Sequence, residues 1–214
     1  VEVQFGAAAD EAAHGGGVQY AFAKATEGTY YVDAYLDRNM KTGKLRGVKM
    51  GCYDFARPDL YCVSTEANYF WSHAGGSILA DGKTIFPVID FETYNGHDCQ
   101  SSYTAWMNTW SSDVQAKSSH FMHPILYSSA GAGMCDVTSA CTLEAWVANY
   151  NGENLYTGNP WSCCTSCNFK QPGGTYWVWW QVSSSVSVPG LSGNCDLHAY
   201  FSTLSHMSAN ALLR

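Results

Sequence analysis

The sequence predicts a single α/β barrel with an incomplete outer ring of helices, and three observations carry that expectation. Eight short segments rich in β-branched and aromatic residues recur along 214 residues. Stretches of helical spacing separate the early ones, whereas the later connections lose that spacing and fill with Gly, Ser, Cys and Pro. Strand alternating with helix argues for a parallel sheet with crossover helices. Eight strands in a chain of this length suit one closed unit, an open doubly wound sheet being the alternative. No internal repeat or linker interrupts the chain, so 1–214 reads as one domain.

In order, the strand segments are "VEVQF", "VQYAFAKA", "VKMGCYDF", "TIFPVIDFE", "HPILYSS", "EAWVANY", "YWVWWQVS" and "CDLHAYF". Helical spacing or composition runs through Asp33 to Leu45, Ser64 to His73 and Ser101 to Lys117. The connections 131–142, 152–174 and 183–194 show little helical period, so the last third is dominated by strands and loops.

Composition excludes several function classes. Hydrophobic residues make up 46% and charged residues 14%, ample for a core and contrary to disorder. A formal charge of −7 removes the diffuse attraction on which nucleic-acid and anionic-membrane binders rely. No apolar run approaches the roughly 20 residues that cross a bilayer, and no basic-then-apolar leader opens the chain. Nine cysteines point to an oxidising compartment, so the chain reads as mature and secreted, with one thiol left over or paired elsewhere. The pairing itself is not readable.

Two signals suggest ligands of other kinds. "CCTSC" (Cys163, Cys164, Cys167) contains a C-x-x-C spacing, and "HFMH" (His120, His123) could complete a zinc site. A second well-spaced ligand pair is lacking and secretion favours disulfides, so a loop staple is expected, with no metal and no cofactor. "KATEG" (Lys24 to Gly28) lacks the glycine spacing of a phosphate loop. His14, His97, His123 and His198 each read as surface or hydrogen-bonded structural histidines.

The stretch "FPVIDFETYNG", Phe86 to Gly96, carries more chemistry. Alternation puts Phe86, Val88, Asp90 and Glu92 on one strand face and Ile85, Pro87, Ile89 and Phe91 on the other. Both faces are apolar until the acids arrive, as expected of a strand covered on both sides, with Pro87 tolerable only near its start. Active sites of such barrels lie at the C-terminal strand ends. Carboxylates at i and i+2 have Cα atoms roughly 6.5–7 Å apart. Held near apolar walls they do not ionise together easily, which leaves one as a proton donor beside a charged partner. That is the equipment of glycoside cleavage.

The blocks "AFAKATEGTYYVDAYLDRNMKTGKLRGVKMGCYDFARP", "EANYF", "GKTIFPVIDFE", "PILYSS", "WVANY", "WWQVS" and "VPGLSGNCDLHAYF" resemble, in that order, the family 25 glycoside hydrolases, the Chalaropsis-type lysozymes. The match covers nearly the whole chain. The resemblance implies a (β/α)5β3 barrel, TIM-like but lacking outer helices in its C-terminal part. It implies hydrolysis of the β-1,4 bond between N-acetylmuramic acid and N-acetylglucosamine in peptidoglycan. It also implies Glu92 as general acid/base, Asp90 as the carboxylate that supports the substrate's own N-acetyl group, and Asp196 as a further acid at the mouth. Peptidoglycan or another N-acetylated glycan is the expected partner, with no nucleic acid and no membrane. By position in the matching blocks, Tyr53, Phe55, Tyr127, Trp146, Tyr150, Trp180 and Gln181 are placed around the cleft. The family's first-strand Asp is replaced, because the chain opens "VEVQFG" with Glu2 at that place. Glu is one methylene longer, which motivates a second reading: a catalytically weakened or inactive lectin-like protein on the same barrel.

Overall fold

The computed structural model describes residues 3–8, by backbone alone, and 17–138, 141–154, 158–161, 179–187, 194–200 and 212–213. Within them lie strands β1 (Val3–Ala8), β2 (Tyr20–Glu27), β3 (Tyr31–Val32), β4 (Lys49–Phe55), β5 (Val88–Asp90), β6 (Ile125–Ser129), β7 (Glu144–Ala148), β8 (Trp179–Val186) and β9 (Cys195–Tyr200). Helices α1 (Leu36–Leu45), α2 (Val63–Ala74), α3 (Tyr103–Lys117) and α4 (Gly133–Asp136) fall between the early and middle strands. Each of the eight segments read from sequence contains a strand; β3 and α4 are additions.

The strands form one curled sheet in the order β1-β9-β8-β7-β6-β5-β4-β2-β3, and a further β1–β2 pairing joins its two ends. β2, β4, β5, β6, β7 and β8 run parallel to one another in that succession, while the short β3 pairs antiparallel with β2. β1–β2 and β8–β9 are antiparallel, a departure from the expected parallel sheet. Residues 187–194 separate β8 from β9, too few for a crossover helix, so the chain turns back on itself. That reversal brings the N-terminal end of β9 to the same end of the sheet as the C-terminal ends of β2, β4, β5, β6 and β7.

Register aligns side chains across the sheet. Glu27, Phe55, Asp90, Tyr127, Trp146, Trp179 and Tyr200 form one lateral row. Its inward-facing rings pack with those of β2: Phe22 lies 4.4 Å from Trp146, and Tyr20 meets Trp179 edge-on at 4.7 Å. Trp146 meets Tyr127 at 5.0 Å and His198 at 4.7 Å, both edge-on. Such pairs each add about 0.5–1.5 kcal/mol beyond area burial.

Helices cover the opposite face. α3 begins where Ser102 accepts a hydrogen bond from the Ala105 N–H at 3.2 Å, and it buries Trp106, Met107, Trp110 and Val114 along one stripe. Between this layer and the sheet sits a buried acid pair. Asp54 accepts from Thr26 Oγ1 at 2.7 Å and from Trp110 Nε1 at 3.2 Å; Glu66 accepts from the Arg57 N–H at 2.9 Å. Burial pushes both carboxyls well above the usual range, and the neighbouring Asp54 adds to the shift at Glu66. Burial thus favours the neutral form of each.

His198 reverses one expectation. Its ring is 2% exposed, and among the described residues neither ring nitrogen has a hydrogen-bond partner. Burial pulls its pKa down to about 3. It packs as an uncharged ring because charging it inside the sheet would forfeit its hydration.

These groups set opposite limbs of a stability profile. The unfolded chain protonates His198 below about pH 6.5 while the folded one does not, so stability falls from there toward pH 3. Asp54 and Glu66 keep protons that the unfolded chain releases above about pH 4, so stability also falls as pH rises through their raised values. Each group changes stability by about 1.4 kcal/mol per pH unit inside its window. Urea unfolding from pH 3.5 to 9 is expected to show the acid limb flattened in His198→Phe and the alkaline limb flattened in Asp54→Asn. Profiles parallel to wild type would remove these groups as the cause.

Candidate active site at the carboxyl ends of the strands

β5 is three residues long and buried throughout. β4 and β6 hold its end in place: the Ala56 N–H donates to the Asp90 carbonyl at 2.8 Å, and the Phe91 N–H donates to the Tyr127 carbonyl at 2.9 Å. Phe91 then turns into the core against Tyr94 and Tyr103, at 5.1 and 4.8 Å. The strand itself ends at Asp90. Asp90 is 5% exposed within the lateral row, whereas Glu92 stands exposed just beyond it.

Tyr127 reports what surrounds these acids. Burial raises its phenol pKa far above the usual value, and the negative charges of Asp90, Glu92 and Asp196 raise it further. Burial also raises that of Tyr150, with Asp196 and Glu92 adding to it. Glu92 and Asp196 thus act on both phenols, and Asp90 on Tyr127. The Tyr127 hydroxyl donates to Gln181 Oε1 at 2.5 Å, tying β6 to β8. Phe55 lies next to Asp90 in register, and Tyr150, 54% exposed, stands beyond the end of β7.

The other expected site residues divide. Trp146 is 1% exposed in the row of Asp90 and Tyr127, a floor for the mouth. Tyr53 pairs with Val88, one layer deeper, and is buried. Trp180 pairs with Val147, so alternation turns it to the face opposite Trp179 and Gln181, where its indole N–H donates to the Asn149 carbonyl at 2.8 Å. It is not brought to the mouth with the others. Glu2, His14 and the cysteines of "CCTSC" lie outside the described residues, while His120 and His123 are exposed.

Sequence reasoning missed a charged network beside Phe55. Lys24 Nζ lies 4.9 Å from the Phe55 ring centre and 3.0 Å from Glu27 Oε2, and Arg57 lies 3.7 Å from Glu27 and 2.9 Å from Asp59. The available signal was the position of "KATEG" and "FARP" at the ends of neighbouring strands. The Cys62–Cys99 disulfide was equally unreadable; it ties the loop that follows Glu92 to the start of α2. Asp98 lies beside this pair, but both sulfurs are already bonded to each other. A separate cavity of about 720 Å³, lined by Asp37, Met40, Lys41, Lys44 and Lys83 among others, contains none of the mouth's acids.

A curled, mostly parallel sheet flanked by helices, with acids and aromatic rings at its carboxyl ends, defines a mixed α/β protein. The chain belongs to glycosyl hydrolases family 25, whose model matches residues 5–191. It is 29% identical to lysozyme M1 of Streptomyces globisporus over 91% of this chain and 64% of that protein. It is 28% identical to the N,O-diacetylmuramidase of Chalaropsis sp over 86% of this chain and 88% of that one. The crystal structure of the bacterial lysozyme from Streptomyces coelicolor superimposes with a TM-score of 0.69 at 24% identity, covering 98% of this chain and 96% of that one.

The hydrogen bond between Tyr127 and Gln181 has a measurable weight. Tyr127→Phe leaves the buried Gln181 Oε1 without this donor, which costs about 1–3 kcal/mol. The melting temperature is expected to drop by roughly 2–4 °C per kcal/mol. An unchanged melting temperature would mean that Gln181 does not depend on Tyr127.

Proposed function

We propose that the chain is a secreted peptidoglycan muramidase built on a (β/α)5β3-type barrel. The observation that carries this is the register of Asp90 between Phe55 and Tyr127 at the carboxyl ends of the strands, with Glu92 exposed just beyond it and Asp196 at the start of antiparallel β9. The activities printed in the names of lysozyme M1 and the Chalaropsis N,O-diacetylmuramidase point the same way. The disulfide fits an oxidising compartment, and among the described residues no helix is long and apolar enough to cross a membrane.

The positions of the acids suit different roles. Glu92, exposed at the rim, protonates the glycosidic oxygen as the bond between N-acetylmuramic acid and N-acetylglucosamine breaks. The carbonyl oxygen of the substrate's own N-acetyl group attacks the anomeric carbon from the other face, and Asp90, held within the row, orients and stabilises that group. Water then opens the cyclic intermediate, with Glu92 taking the proton, so configuration is retained without an enzyme nucleophile. Asp196 shapes the field around the reaction. Phe55 and Tyr150 offer flat apolar surfaces to the sugar rings, while the buried Tyr53, Tyr127, Trp146 and Gln181 support the site from within.

Clearing of bacterial cell walls tests the proposal. Glu92→Gln is expected to clear walls at least 100-fold more slowly than wild type, the scale of a lost general acid. Equal clearing by the two would sink the assignment. Tight glycan binding by wild type without release of new reducing ends would instead make the chain a sugar-binding protein.

A further inference from the structure

The connection from β2 to α1 carries exposed apolar rings that no catalytic role absorbs. Tyr30 is 52% exposed, Tyr31 41% and Tyr35 46%, and Leu60 from the β4–α2 connection is 47% exposed. Isolated exposed apolar side chains need no explanation, but several on one connection make a patch. This connection leaves the sheet at the end where Glu27, Phe55 and Asp90 lie in register, so the patch borders the mouth.

The connection is built rigidly. Gly28 takes φ +50°, its N–H donates to the Phe55 carbonyl at 3.1 Å, and a Cβ there would lie 2.7 Å from the Tyr61 ring. Buried Asp33 anchors the other end: its N–H donates to the Ala25 carbonyl at 2.9 Å, and its Oδ1 accepts from the Tyr35 N–H at 2.7 Å. Tyr30 donates to Glu27 and accepts from Arg57 Nη1 at 3.0 Å. Aromatic rings fixed before binding lose little conformational entropy on it. Contacts run unbroken from the mouth: Phe55 lies beside Asp90, Lys24 Nζ lies 4.9 Å over Phe55, and the same ammonium lies 5.5 Å over Tyr31. Lys24, Glu27, Arg57 and Asp59 place hydrogen-bonding groups among the rings, the mixture that sugar rings with hydroxyl and N-acetyl groups require.

We propose that Tyr30, Tyr31 and Tyr35 form a distal carbohydrate-binding platform. It would hold N-acetylhexosamine rings of a glycan strand several sugars away from those engaged at Asp90 and Glu92. The assignment rests on the muramidase reading for its ligand class. The platform rewards long strands over short ones, because only a strand that fills the mouth and extends past Phe55 reaches Tyr31 and Tyr35.

Calorimetric titration with chitotriose and chitohexaose, on the Glu92→Gln background to prevent turnover, tests this. The expected result is a hexamer bound roughly tenfold or more tightly than the trimer, which corresponds to about 1.4 kcal/mol. Tyr31→Ser/Tyr35→Ser should abolish that gain, whereas Tyr31→Phe/Tyr35→Phe should keep it, since stacking uses the ring and not the hydroxyl. Thermal melting of each variant separates loss of binding from loss of fold. A full chain-length gain in the folded Ser variant, or no gain in the parent, would overturn the platform while trimer binding leaves the mouth standing. Failure of both oligomers to bind would overturn platform and mouth together.

Discussion

The site depends on the register of one very short strand. β5 has three residues, and each is paired on both sides, with β4 and with β6. Because side chains alternate, a slip of one residue would exchange Asp90 with Ile89, sending the acid toward the helices and an apolar group into the mouth. The bonds from the Ala56 and Phe91 N–H groups oppose that slip, and the turn of Phe91 into the core ends the strand immediately afterwards. Glu92 is consequently free of the pleat and sits at the rim. A buried, oriented carboxylate and an accessible one arise from a single tripeptide through where the strand stops.

Two kinds of buried polar group support this arrangement on opposite faces. Inside, the Tyr127–Gln181 bond crosses from β6 to β8, and uncharged His198 packs edge-on against Trp146. Outside, Asp54 and Glu66 sit between the sheet and α2 and α3, where burial raises both carboxyl pKa values. Glu66 holds the Arg57 N–H, one residue after the Ala56 N–H that holds Asp90. The outer acid pair and the end of β5 therefore share one turn, so helix packing reaches Asp90 through two consecutive backbone amides.

Much of this was legible because burial and alternation leave marks on composition. Val88 and Ile89 identify a strand covered on both faces, and Trp106, Trp110 and Val114 mark the buried stripe of α3. The acid pair could be picked out because carboxylates are out of place at the end of an apolar run. The face taken by Trp180 was not readable, because an aromatic-rich strand such as "WVWWQV" names its rings without saying which side of the sheet each takes. Nor could composition separate Asp54, one residue before Phe55, from an acid of the mouth. The distinction is the half-turn of the pleat that aims Asp54 at Trp110.

The sequence by itself determined the strand and helix segments, the ordered blocks that carry the family, and the candidacy of Asp90, Glu92 and Asp196. These are local or strictly ordered properties, and a linear string preserves them. Only the tertiary structure decided that β9 runs back against β8, that Cys62 pairs with Cys99, and that the ring of His198 is buried among aromatics. Each joins or encloses groups far apart along the chain. Their proximity follows from closure of the sheet, which is a property of all the strands together and is encoded in no single segment.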